Sequence, residues 1–131
     1  MIQWNNSEQL KDPIAIDAIE AGYGITIPAE LKKLIIEHNG GFPTPNRCII
    51  RNNMERDVKM LLSYNNDDPE TIFDVIDYFM KRSHKLILPF ASDSGDGYYC
   101  LKGSFVVYVE GEDMTPTTVA ESFSKFWDQL F

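Results

Sequence analysis

Leu88-Pro89-Phe90-Ala91-Ser92-Asp93-Ser94-Gly95-Asp96-Gly97-Tyr98-Tyr99-Cys100-Leu101 consists of two apolar runs joined by a short stretch of Asp, Ser and Gly. Asp can cap the backbone amides of a tight turn, and Gly supplies the positive φ that such a turn demands. Runs of this length joined so closely must pair antiparallel. A third run, Ser104 to Glu110, follows at once, so strands are predicted over Leu86–Ala91, Tyr98–Leu101 and 104–110. This meander is the frame on which the rest of the chain must pack.

Upstream, helical periodicity takes over. Asp12-Pro13 places a carboxylate before a proline suited to a first helical turn, and Ile14, Ala15, Ala18 and Ile19 recur at helical spacing until Gly22 and Gly24. Ile27-Pro28 opens a second helix in the same way. Leu31, Leu34, Ile35 and His38 form its inner stripe, Glu30, Lys32, Lys33 and Glu37 its wet face, and Asn39-Gly40-Gly41 ends it. Between the helices and the meander lie two strand-like runs, Arg47–Arg51 and 58–63, separated by the polar stretch 52–57 and read as a hairpin or two adjacent strands. A third helix is predicted from Asp68-Pro69 to about Lys81, with Ile72, Phe73, Ile76, Phe79 and Met80 inward. Thr118 and Glu121 fit a capping box for a last helix whose Val119, Ala120, Phe123, Phe126, Trp127 and Leu130 share a face that must be buried. The predicted fold class is α+β, a mostly antiparallel sheet with helices packed against it, in one domain over residues 1–131.

Composition narrows the function. The chain has 131 residues, 44% of them hydrophobic, which is enough for a real core. Its formal charge of -8 repels phosphate backbones and anionic lipid surfaces, so neither nucleic acid nor a membrane is expected as a partner. A basic protein partner fits that charge better. Met1 to Leu10 has no basic segment followed by an apolar one, so a cytoplasmic location is expected. Cys48 and Cys100 lie in predicted strands without metal-type spacing and are read as buried thiols of a reducing compartment, with a structural disulfide as the alternative.

The catalytic inventory is thin. Of two histidines, His38 ends a helix and His84 sits among Lys81, Arg82 and Lys85, so neither is expected to serve a nucleophile. Asp93-Ser94-Gly95-Asp96-Gly97 lacks the alternating acids and distal glutamate of a calcium loop, and no phosphate-binding glycine motif occurs. No metal, no cofactor and no enzymatic activity are expected.

The punctuation of the chain resembles that of the SUKH superfamily, known through fungal cell-wall-assembly regulators and bacterial immunity proteins. Three motifs carry the resemblance: Ile25-Thr26-Ile27-Pro28 with Leu31, Leu34, Ile35 and Asn39-Gly40-Gly41; the 88–101 stretch; and Val107-Tyr108-Val109 followed after an acidic turn by Val119-Ala120-Glu121-Ser122-Phe123-Ser124-Lys125-Phe126. They occur in the family's order. Departures fall in two turns, Gly95-Asp96-Gly97 and Glu110-Gly111-Glu112-Asp113. The resemblance implies a bacterial immunity protein that neutralises a cognate toxin, often a nuclease, by direct binding. Under that reading Asp93, Asp96, Glu110, Glu112 and Asp113 supply part of the toxin-facing surface, since loops on a rigid scaffold commonly carry partner contacts. An intracellular scaffold or regulatory domain is the main alternative, and a hydrolase acting through Asp93 and Glu110 is a second.

Overall fold

The meander is present. In the computed structural model, which describes residues 1–110 and 113–131, β6 (Leu88–Ser92), β7 (Gly97–Lys102) and β8 (Phe105–Glu110) pair antiparallel. They are flanked by β5 (Met60–Leu61) and β9 (Asp113–Ala120), giving a five-stranded sheet in chain order. Two smaller antiparallel pairs complete the strands: β1 (Gln3–Asn5) with β2 (Phe42–Thr44), and β3 (Arg47–Arg51) with β4 (Met54–Asp57). Together with the helices α1 (Ala15–Tyr23), α2 (Ala29–His38), α3 (Ile76–Ser83) and α4 (Phe123–Asp128), this is the α+β class expected.

Alternation along the central strands builds the core. Tyr99 and Leu101 of β7, with Val106 and Tyr108 of β8, join a large cluster that includes Ile16, Ile19, Leu31, Ile35, Phe90 and Phe126. Cys100, Val107 and Val109 point to the other face and meet Phe79 of α3 and Ile87. Period-two geometry makes this division unavoidable once both faces are covered. Phe126 sits at the centre of the larger cluster, fully buried, with its ring 5.3 Å from Tyr99, 5.7 Å from Phe90 and 4.9 Å from Trp127.

Several boundaries differ from the sequence reading for identifiable reasons. At Asp12-Pro13 the Asp12 carboxylate accepts the Ile14 N–H at 3.1 Å, making a turn, and α1 itself begins at Ala15. Glu20 of α1 accepts the Ile27 N–H at 2.7 Å and pairs with Lys32 at 3.1 Å, which ties the two helices together and holds its carboxyl below the usual range. The polar stretch 52–57 is no connector. Asn52 and Asn53 take φ of 47° and 62°, forming a two-residue hairpin turn, and the residues after it are strand β4. The third helix does not start at Asp68-Pro69. Thr71 and Asp74 form a reciprocal capping box, each backbone N–H meeting the other's side chain at 3.2 Å, over a 3-10 turn (Ile72–Asp74) that precedes α3.

The largest correction concerns the C-terminal segment. Thr118, Val119 and Ala120 belong to β9, and the helix is capped by Ser122, whose Oγ accepts the Lys125 N–H at 3.2 Å. Thr115, Thr117, Thr118 and Val119 are β-branched and suit a pleated sheet better than a helical turn. Thr117 and Thr118 lie against Tyr108 and Val107 of β8.

The Asn-Gly-Gly stop has a second structural role. Asn39 is 1% exposed; its Nδ2 donates to Ser63 Oγ at 3.0 Å and its Oδ1 accepts the Tyr64 N–H at 2.8 Å. Its backbone carbonyl accepts the Glu8 N–H at 2.7 Å, while Ser63 Oγ donates to Asp68 at 2.5 Å. Gly41 must be glycine here, because a Cβ would stand 2.8 Å from Ser7 Oγ and 2.9 Å from the His38 carbonyl.

Candidate functional site

Strand register gathers the acidic turns at one end of the sheet. Gly97 of β7 lies opposite Glu110 of β8, and Glu110 lies opposite Asp113 of β9. Asp96, next to Gly97 in the β6–β7 turn, therefore lies at the same end of the sheet as Glu110 and Asp113. Asp96 and Asp113 are exposed and Glu110 is half-buried. Glu112, also expected on this surface, lies outside the described residues.

Asp93 is the exception, and the structure corrects its assignment to the partner-facing surface. The residue is 4% exposed. Its Oδ1 accepts the N–H groups of Gly95 and Gly97, both at 2.9 Å, and its Oδ2 accepts the Tyr108 hydroxyl at 2.5 Å. A buried carboxylate needs such donors, and with three of them this one shapes the turn from within. Burial, followed by the neighbouring Asp93, pushes the Tyr108 hydroxyl well above its ordinary pKa, so it stays a donor. Gly97 leaves room for this contact: a Cβ there would sit 2.1 Å from Tyr108 Oη.

The turn is also held from outside. The Ser94 N–H donates to Asp57 at 2.9 Å and its hydroxyl bonds the same carboxylate, while Tyr99 donates to the Asp57 carbonyl at 2.9 Å. The end of β4 thus fixes the β6–β7 turn, and Asp96 is displayed from a rigid base. On the neighbouring strand Asp113 accepts the Thr115 hydroxyl at 2.6 Å and its N–H at 3.1 Å. These two bonds, the hydroxyl first, with Arg51 adding attraction, hold its carboxyl below the usual range and keep it ionised. Arg51 donates to Thr117 at 3.0 Å, and a cleft of about 200 Å³ opens between Arg51, Tyr108, Glu110 and Asp113.

The remaining chemical groups are occupied structurally. His38 stacks on Trp4 with ring centroids 5.4 Å apart, and His84 closes α3 in the left-handed conformation. Cys48 and Cys100 are free and buried, and burial raises both thiols, Cys100 the more strongly. Among the described residues no group of three or more His, Cys, Asp or Glu side chains is placed to hold a metal ion. Among them, too, no helix is long and apolar enough to cross a membrane.

Sequence reasoning missed Asp57, Arg51 and Tyr108 as parts of this end of the sheet. Asp57 lay in a stretch read as a connector. Tyr108 carried a usable signal, since period two places it on the same face as Val106 and would have placed its hydroxyl inside.

Arranged in this way, acidic residues on a braced sheet end can attract and orient a basic surface. No curated protein matches the sequence. The model of the SMI1 / KNR4 family (SUKH-1) matches residues 12–129, which takes in all four helices and every strand except β1. With nearly the whole chain so matched, this protein belongs to the SMI1 / KNR4 family (SUKH-1).

Proposed function

We propose that this protein is an immunity protein, a protein-interaction domain that neutralises a basic toxin by binding it directly through Asp96, Glu110 and Asp113. The family supports a protein-interaction role at the coarser level. What supports the finer reading is that these three acidic residues share one end of the sheet, in a chain of charge -8. A toxin that acts on nucleic acid presents a basic cleft, and fixed carboxylates can stand there in place of phosphates. The bracing of the turn by Asp57 reduces the ordering cost of binding.

The test starts by asking whether the gene beside this protein's own encodes a toxin that the purified chain binds. Replacing Asp96, Glu110 and Asp113 together by Lys should slow association at least tenfold at low salt and abolish protection of cells, with the melting temperature little changed. Unaltered association would remove the sheet end from the contact surface, and the lack of any toxin partner in native lysate would overturn the immunity role.

A further inference from the structure

A second surface, sharing no residue with the acidic sheet end, has the make-up of a docking groove. Ile2 and Trp4 from β1 and its flank, Leu34 from α2, and Phe123 and Trp127 from α4 line an open groove of about 390 Å³. All five are half-buried and rest on the main core. The aromatic wall is rigid: Trp4 lies between the His38 ring at 5.4 Å and the Trp127 ring at 5.2 Å, and Phe123 meets Trp127 at 5.8 Å. Large aromatic side chains already ordered in the free protein are the groups that anchor interfaces, because little side-chain freedom remains to be lost.

The rim decides what can enter. Glu30, Glu37 and Asp128 line it with a single cation, Lys33, which stands 3.9 Å from Glu37. An anionic lipid surface or a nucleic acid would meet these carboxylates unfavourably, and a second copy of a chain with charge -8 would bring the same rim against itself. A segment combining apolar side chains with lysine or arginine would satisfy both floor and rim. We propose that this groove between β1, α2 and α4 is a docking site for a basic, apolar-anchored segment of a partner protein. The proposal stands whether or not that partner is a toxin.

The chain's two tryptophans both line the groove, so their emission reports on it directly. The full chain is titrated at physiological ionic strength with a decapeptide alternating lysine and leucine, and in parallel with an all-lysine peptide of equal charge. Saturable change in emission is expected with the first and not the second. A Glu30→Lys, Glu37→Lys protein should bind the lysine–leucine peptide roughly tenfold more weakly, with unchanged melting, since both residues are exposed. The protein reversed at Asp96, Glu110 and Asp113 should bind it nearly as well as the parent. This last arm separates the groove from the sheet end, because it removes more net charge than the rim pair does. Equal response to the all-lysine peptide, indifference to the rim substitutions, loss of binding on reversing the sheet end alone, emission changes with lipid vesicles, or self-association through the groove in ultracentrifugation would each overturn the proposal.

Discussion

Two buried tyrosines show how much a single partner matters. The Tyr108 hydroxyl donates to buried Asp93, whereas the Tyr64 hydroxyl is buried with no protein partner among the described residues. Replacing Tyr108 by Phe leaves a buried carboxylate short of one donor and should destabilise the protein by about 1–3 kcal/mol. Replacing Tyr64 by Phe removes an unsatisfied group while keeping the ring against Phe73, and should be neutral or stabilising. Chemical denaturation of the two variants checks the contrast. Equal losses would mean that the Tyr108 hydroxyl's bond to Asp93 contributes no more than the unpartnered Tyr64 hydroxyl.

Among the elements, α4 is short, yet its one buried aromatic touches three other rings. Removing residues 122–131 should abolish cooperative unfolding, because Phe126 and Leu130 leave the core together. Ser122→Ala should cost about 0.5–2 kcal/mol through loss of the cap, while Thr118→Val, in β9, should leave the helix intact. Thermal melts and helical circular dichroism of the three proteins check both expectations. The meander was legible because short turns between apolar runs leave only antiparallel pairing. The start of α4 was not, because Thr118 with Glu121 satisfies the capping pattern locally while pairing with β8 decides the outcome. The second strand of the β3 hairpin was misplaced to 58–63 for a related reason: Met54–Asp57 is too polar to read as a strand, and only the left-handed Asn52-Asn53 pair marks it. At the candidate site, Asp96 and Glu110 could be placed from turn chemistry. That Asp93 faces inward depended on Tyr108, which is near it only across the sheet.

At the scale of the whole molecule, charge and packing divide the labour. Exposed carboxylates include those at the sheet end and along the α2–α4 groove, and the interior is mostly apolar, with a few polar groups that, among the described residues, are hydrogen-bonded apart from the Tyr64 hydroxyl and the Trp127 indole N–H. Buried Asn39 joins remote stretches of the chain, because its bonds reach Glu8 on one side and the adjacent pair Ser63 and Tyr64 on the other. Together these contacts require that the N-terminal strap, the end of α2 and the approach to α3 have all arrived. The amide protons of Glu8 and Tyr64 should therefore exchange with solvent deuterium at a common, slow rate, that of the molecule opening as a whole. Asn39→Ala should speed exchange at Tyr64 and spare Glu8, whose acceptor is the main-chain carbonyl that alanine keeps, so that one residue guards two remote parts of the chain by separate means.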